Sequence, residues 1–283
     1  MARRSTKASF FTFPTSKTNI MAIITRNASS SHWYHRDGTA CHEIIAKSSG
    51  LPRPTTVKDA RVLNLVPSVT SVIGIKAKPG LDIWKQDNAI MAALSTPRNP
   101  SEEEKDWHSR IAEESNRIGR EAAEWGTLIH EQCEQFCRDG AFLGTGEILD
   151  YVAGYADWHR ENVIDSIHVE KSVVGELGYA GRLDLYAMVN FGGVPRRAVI
   201  DYKSQKLKGK PKGAFYKEWE IQLAAYGDCL REEGEEMPVL ISVIIPSDAP
   251  GPVQTKVWEN PENALKAFHA CHALWCYEKG YEP

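Results

Sequence analysis

The sequence contains no long hydrophobic run and no marked excess of one charge. Although 42% of its 283 residues are hydrophobic, the longest plainly apolar stretch spans only residues 239–245. A membrane-spanning helix needs roughly 20 such residues. The formal net charge is −3, so overall basicity does not indicate a nucleic-acid partner. We therefore expect a protein outside the membrane, in which any attraction for phosphate arises from local clusters of charge.

Closely paired cysteines are also absent. The six cysteines include no Cys-x-x-Cys pair, and the sequence shows no secretory signal. These features favour a reducing environment over a disulfide-stabilised extracellular fold.

Acidic residues are missing from positions 1–36, which contain six Lys and Arg residues among many Ser and Thr. This composition is typical of a transit peptide or of a disordered basic arm. Met21 leaves a third possibility open, in which the residues before it reflect an early start codon. We expect this segment to lie outside the folded core.

The remainder divides into an N-terminal appendage, residues 37–100, and a core domain, residues 101–283. Within the appendage, a helix over 81–93 carries Trp84, which we expect to lie in the core rather than to stack on bases. The core domain has the order helix, strands, helix, strands, helix. That order predicts an α/β fold with a mixed central sheet flanked by helices.

Acidic residues in the second half of the chain indicate a metal site. Successive side chains of a strand point to opposite faces, so Asp201 and Lys203 should emerge on one face of a strand over 197–205. A second strand over 179–190, followed by Gly and Pro, predicts a hairpin that brings Asp184 beside Asp201. Converging carboxylates repel each other unless they bind a cation, and Mg²⁺ prefers oxygen ligands. The alternative is an ordinary ion pair between Asp201 and Lys203.

Two predicted helices carry further polar candidates. Apolar residues recur at three-and-four spacing over 103–136, which predicts a long amphipathic helix with His130 beside its apolar stripe. Gly126, one turn earlier, should leave space for a metal or a phosphate. Gln222 and Tyr226 share one face of a helix over 214–231. Without the acidic motifs, each of these residues has an ordinary structural role as its alternative.

Four motifs together resemble the PD-(D/E)XK nuclease superfamily, in its RecB-type, phage exonuclease-like branch. They are Gly126-Thr-x-x-His130, Gly181-Arg-Leu-Asp184, Asp201-Tyr-Lys203 and Gln222-x-x-x-Tyr226. The resemblance covers about residues 105–232 and implies a restriction-endonuclease-like core. A glycine-containing Gly-x-x-Asp form takes the place of the proline in the superfamily's name. The segment 65–74 resembles the region before the nuclease core in phage and prophage exonuclease-like proteins, which favours a bacterial or phage-encoded cytoplasmic protein over a mitochondrial one.

The resemblance implies a role for each matched residue. Asp184, Asp201 and His130 would bind metal, and Glu170 falls where such enzymes often carry another acidic residue. Lys203 would serve the attacking water, and Gln222 and Tyr226 would support the site and the substrate. The implied catalytic set is Asp184, Asp201, Lys203, Gln222 and Tyr226.

The implied activity is that of a Mg²⁺-dependent deoxyribonuclease, with Mn²⁺ as a possible substitute. We expect an exonuclease that hydrolyses phosphodiester bonds in recombination, repair or phage DNA processing, with DNA and a recombinase or single-strand-binding protein as partners. A structure-selective or site-specific endonuclease and a noncatalytic DNA-binding scaffold remain open. Some RecB-type nucleases hold an iron–sulfur cluster, but the cysteine spacing here argues against one.

Basic residues follow the predicted catalytic strand directly. No acidic residue lies between Asp201 and Glu218, whereas lysines recur through this interval. We expect the loop to bind phosphates of a strand that enters the site; the alternative is a solvated loop. The residues predicted to bind nucleic acid are Lys206, Lys208, Lys210, Lys212 and Arg182.

Overall fold

The computed structural model describes residues 32–207, 210 and 212–283. These residues form a mixed α/β fold with seven helices, one five-stranded sheet and two small two-stranded sheets. In chain order the elements are β1 (Trp33–Tyr34), β2 (Glu43–Ile45), β3 (Pro52–Pro54), α1 (Val57–Leu63), β4 (Val66–Pro67), α2 (Val69–Ile73), α3 (Pro79–Ser95), α4 (Glu104–Asp139), α5 (Ile148–Asn162), β5 (Val163–Gly175), β6 (Tyr179–Phe191), β7 (Val194–Gln205), α6 (Lys217–Leu230), β8 (Val239–Pro246), β9 (Gln254–Trp258) and α7 (Pro261–Lys279).

The main sheet has the strand order β5-β6-β7-β8-β9. Neighbouring strands are antiparallel except β7 and β8, which are parallel. A parallel pair needs a crossover connection, and α6 lies in the chain between those two strands. The predicted hairpin between β6 and β7 is confirmed, since Phe191 pairs with Val194 across its turn.

Helices cover both faces of this sheet, and each face has its own apolar core. On one side α4 and α5 pack through fully buried side chains that include Ile129 and Tyr155. On the other side α6 and α7 contribute Leu223 and Phe268. Burial of one large apolar side chain stabilises the fold by about 1.5–3 kcal/mol, so these two layers fix the sheet between them.

The long helix predicted over 103–136 is confirmed as α4, whose 36 residues extend for about 54 Å. Its second half supplies the buried residues, whereas its first half packs beside α3. The Trp107 indole donates a hydrogen bond of 2.7 Å to the Thr96 carbonyl at the end of α3. Trp84 of α3 is 42% exposed, so its predicted place in the core is wrong.

The start of the described chain belongs to the fold. Trp33 in β1 is fully buried and stacks edge-on against Trp275 at a ring-centroid distance of 5.8 Å. The arm predicted over residues 1–36 therefore extends too far, because residues 33 and 34 pair with β4. Residues 1–31 lie outside the described residues.

Residues 37–100 likewise contribute to the core, through buried Leu65, Val69 and Val72. Part of the predicted appendage therefore packs into the apolar core on the α6 and α7 side of the main sheet. Within the described ranges, no helix has both the length and the apolar character required to cross a bilayer.

Candidate metal and active site

Three carboxylates lie side by side across neighbouring strands. The register of β5 with β6 places Glu170 opposite Asp184, and that of β6 with β7, in which Leu185 pairs with Ile200, places Asp184 beside Asp201. Like charges opposite each other on adjacent strands repel and destabilise a sheet. The row therefore requires compensation by cations or by hydrogen-bond donors.

Helix α4 places the imidazole of His130 beside two of these carboxylates. His130, Glu170 and Asp184 each offer one ligand atom, and those atoms all lie within 4.8 Å of one another. His130 Nδ1 is 3.9 Å from Asp184 Oδ2. The structure thus brings the predicted histidine and Glu170 to Asp184. Asp201 lies beside Asp184 in the row but is not a member of this group of possible ligands.

Asp201 instead pairs with Lys203, two residues along β7. The ammonium donates a hydrogen bond of 2.7 Å to Asp201 Oδ1 and lies 2.6 Å from Oδ2. Burial raises the pKa of Asp201, and Asp184 raises it further against the opposing effect of Lys203. Burial lowers the pKa of Lys203, but the charges of Asp201 and Asp184 outweigh that effect and raise it overall. The lysine is therefore an ammonium at neutral pH.

Helix α6 contacts the same aspartate from its own layer. The Gln222 amide donates to Asp201 Oδ1 at 3.2 Å and to the Tyr226 hydroxyl at 3.3 Å. The two residues share a helix face, as their spacing predicts. One turn before Gln222, Trp219 places its ring 5.9 Å from Lys203 Nζ. We did not single out Trp219 from the sequence, although its spacing from Gln222 is a helical signal that would have identified it.

The backbone also supports the acidic row. The Tyr202 amide donates a hydrogen bond of 2.7 Å to Asp184 Oδ2, a contact that residue types cannot reveal. Asp201 Oδ2 is buried, and the Lys203 ammonium lies 2.6 Å from it, outside hydrogen-bonding geometry. This oxygen is therefore neutralised by the ion pair.

Glu170 has an unusual backbone and an unusual charge environment. Its φ angle is +53°, a left-handed conformation that costs a residue with a side chain about 1–3 kcal/mol. Burial and the neighbouring Asp184 raise its pKa to about 7 against the opposing charge of Arg182. Arg182 Nε lies 2.5 Å from Glu170 Oε2. The arginine predicted to bind nucleic acid is therefore engaged by the acidic row itself.

Two motif glycines permit close contacts between elements. A Cβ atom at Gly181 would lie 2.5 Å from the ring of Tyr226, which shows why β6 needs glycine where it meets α6. A Cβ atom at Gly126 would lie 2.9 Å from Ser204 Oγ. Gly126 thus brings α4 close to β7, in addition to lining the cavity where we expected it to leave room for a ligand.

A cavity of about 500 Å³ opens over this site. Its walls come from α4 on one side and from the strands on the other, and they include His130, Glu170, Arg182 and Asp184. Asp201, Lys203 and Gln222 are not among the residues that line it. The arrangement can hold a divalent cation at the cavity wall, with the ion pair of Lys203 and Asp201 on the neighbouring strand.

The basic loop after β7 is described only in part. Lys206, Lys210 and Lys212 are exposed and form no ion pair with any described residue. Lys208 lies outside the described residues.

No protein-family model matches this chain, and no curated protein shows a significant match to it. The functional conclusion therefore rests on the site itself.

Proposed function

We propose that this chain is a metal-dependent DNA nuclease with a restriction-endonuclease-like core, and that it acts as an exonuclease. One observation carries the proposal: Asp184, Asp201 and Lys203 come together with Gln222 and His130, which approach from opposite helical layers. A noncatalytic scaffold needs no such group, because phosphate binding requires cations rather than a row of carboxylates.

The residues present fit a divalent cation. Two carboxylates and an imidazole each offer one ligand atom, and those atoms lie within 4.8 Å of one another. Glu170, Asp184 and His130 would hold the ion, with Asp201 adjacent. Oxygen donors suit Mg²⁺, and Mn²⁺ accepts the same donors. Such an ion polarises a phosphodiester and lowers the pKa of bound water.

The protein's own side chains supply orientation and charge. Lys203 is protonated at neutral pH, so it stabilises negative charge on the phosphate and orients water instead of accepting a proton. Gln222 fixes Asp201 through its amide. The exposed lysines after β7 would bind the phosphates of an incoming strand.

End-labelled linear DNA and covalently closed circular DNA, each incubated with Mg²⁺, test the proposal. We expect labelled nucleotides to be released from the linear DNA while the circle stays intact. Chelator should stop the reaction, as should Asp184→Asn. Nicking of the circle would favour the endonuclease alternative, and binding without cleavage of either DNA would favour the scaffold.

The roles in recombination, repair or phage DNA processing, and a recombinase or single-strand-binding partner, follow from this activity only as expectations. Their test is co-purification of such a partner with the full chain.

A further inference from the structure

A second cavity, of about 910 Å³, lies between α3 and α4. Trp84 projects into it from α3, and the tip of its ring would lie 3.6 Å from a Cβ atom at Gly119. The ring is 42% exposed and has no aromatic or cation–π partner among the described residues. A large aromatic side chain is therefore partly exposed at the cavity, where it could contact a planar ligand.

The charge of this groove is entirely positive. Lys85 and Arg120 line it, and neither forms an ion pair with any described residue. Asn88 and Asn116 add amide groups, and the Asn88 amide nitrogen is buried without a hydrogen-bond partner in the described part of the chain. No Asp or Glu is among the lining residues. An exposed ring, two free cations and amide donors suit a ligand with alternating bases and phosphates.

The groove adjoins the metal-site cavity, because Ala123 lines both. Both cavities follow α4, from Gly119 beside Trp84 to His130 at the acidic row. Eleven residues of helix correspond to about 16 Å, the length of about five stacked nucleotides. A strand that stacks on Trp84 could therefore reach the carboxylates.

We propose that the groove between α3 and α4 binds single-stranded DNA and leads its end to the acidic row. This inference rests on the proposed nuclease function and names its substrate: a single strand or a single-stranded tail. The groove offers Trp84 as a stacking platform, while Lys85 and Arg120 contact phosphates. A blunt duplex, whose bases are already stacked on each other, has no free base face to offer Trp84.

Binding of a fluorescent twelve-nucleotide oligothymidine to the full chain, measured by anisotropy in chelator, tests the groove without cleavage. Loss of base stacking weakens binding by about 1–3 kcal/mol per base, so Trp84→Ala should raise Kd about five- to 150-fold. Trp84→Phe keeps a ring and should restore most of the affinity. Ile83→Ala is the matched control, because Ile83 is 59% exposed on the same helix but does not line the groove.

Replacement of the two basic side chains, Lys85 and Arg120, provides a second measurement. Lys85→Gln with Arg120→Gln should reduce the log–log slope of affinity against salt by about 1.4, since each phosphate contact to a single strand contributes about 0.7. An unchanged slope together with an unchanged Kd for Trp84→Ala, in variants that melt like wild type, would overturn the proposal. Equal weakening of blunt-duplex binding by Trp84→Ala would overturn the assignment to single strands.

Substrate length connects the groove to the site. In Mg²⁺, Trp84→Ala should lower kcat/KM for a twelve-nucleotide strand but leave a trinucleotide unaffected, because a trinucleotide cannot span the distance. The two proposals fail separately. If wild type cleaves DNA but Trp84→Ala binds the oligothymidine as tightly as wild type, the groove proposal is rejected and the nuclease proposal is kept. If Trp84→Ala binds more weakly but wild type cleaves no DNA, the nuclease proposal is rejected and the groove proposal is kept.

Discussion

At the scale of single residues, the three carboxylates of the row are compensated unequally. Asp201 has the ammonium of Lys203, and Glu170 has the guanidinium of Arg182. Asp184, between them, has the amide of Tyr202 and a histidine 3.9 Å away. The centre of the row is thus its least neutralised point, where a cation has most effect on repulsion.

Loss of Lys203 should destabilise the protein as well as stop cleavage. Removal of one partner of a buried ion pair leaves an uncompensated charge, which typically lowers the free energy of unfolding by about 3–5 kcal/mol. We expect Lys203→Ala to lower the free energy of unfolding by an amount in that range, as measured by urea denaturation at pH 8.

The double variant Asp201→Asn with Lys203→Ala provides the control. It removes both charges, so most of the stability should return while cleavage stays absent. If Lys203→Ala is as stable as wild type, the pair is not buried in the way that its contacts indicate.

Glu170 predicts a pH dependence of stability. Its pKa rises from an ordinary value of 4.5 to about 7 on folding, and each unit corresponds to about 1.4 kcal/mol. Its contribution to stability is therefore complete below pH 4.5 and is lost as pH rises from 4.5 through 7, by at most about 3.5 kcal/mol. In chelator, Glu170→Gln should melt higher than wild type at pH 8 and equally at pH 4.5. A constant difference across this range would contradict the assignment.

At the scale of elements, the site depends on the close approach of β6 to α6 at Gly181. Gly181→Ala would place a methyl group 2.5 Å from the Tyr226 ring, and Tyr226 is buried among its neighbours. Overpacking of this kind costs about 1–3 kcal/mol. We expect Gly181→Ala to lower the melting temperature and to reduce cleavage, because the displaced Tyr226 carries Gln222 with it.

Gly119→Ala is the matched control on α4. Its methyl group meets Trp84 at an ordinary contact distance of 3.6 Å, and alanine favours a helix over glycine by up to about 1 kcal/mol. We expect this variant to be slightly more stable than wild type. Destabilisation by both substitutions would show that loss of glycine, rather than the contact with Tyr226, decides the effect.

Sequence periodicity predicted the elements that bear the site because the relevant spacing is local. Asp201 and Lys203 share a strand face, and Gln222 shares a helix face with Tyr226, whatever surrounds them. Long-range packing was not predictable in this way. The burial of Trp33 depends on a partner more than two hundred residues away, and the exposure of Trp84 depends on α4 covering one side of α3 only.

At the scale of the whole molecule, a net charge of −3 conceals separated regions of opposite sign. The acidic row lies at one cavity wall, and the loop after β7 presents exposed lysines. Replacement of Lys206, Lys208, Lys210 and Lys212 by Gln should weaken binding to all DNA sequences alike. The log–log salt slope should fall by up to about one unit for each phosphate that these lysines no longer bind. An unchanged slope would assign these lysines to solvent.

Global stability distinguishes a metal site from a structural ion network through Asp184. In chelator, the row of carboxylates is held together against its own repulsion, so Asp184→Asn should melt no lower than wild type, and its amide oxygen can still accept the Tyr202 hydrogen bond. Mg²⁺ at 100 times its Kd should stabilise wild type by about 2.7 kcal/mol, which is roughly 5 °C in melting temperature. The variant should gain much less.

Asp87→Asn, at an exposed position on α3, removes one carboxylate far from the row and should respond to Mg²⁺ like wild type. A structural role for Asp184 gives the opposite pattern, because its loss would leave the cation of a partner unpaired and lower the melting temperature in chelator. A less stable Asp184→Asn, together with no Mg²⁺ shift in wild type, would remove the physical basis for a metal-dependent nuclease. A wild-type shift that Asp87→Asn retains and Asp184→Asn loses would place the ion at the acidic row.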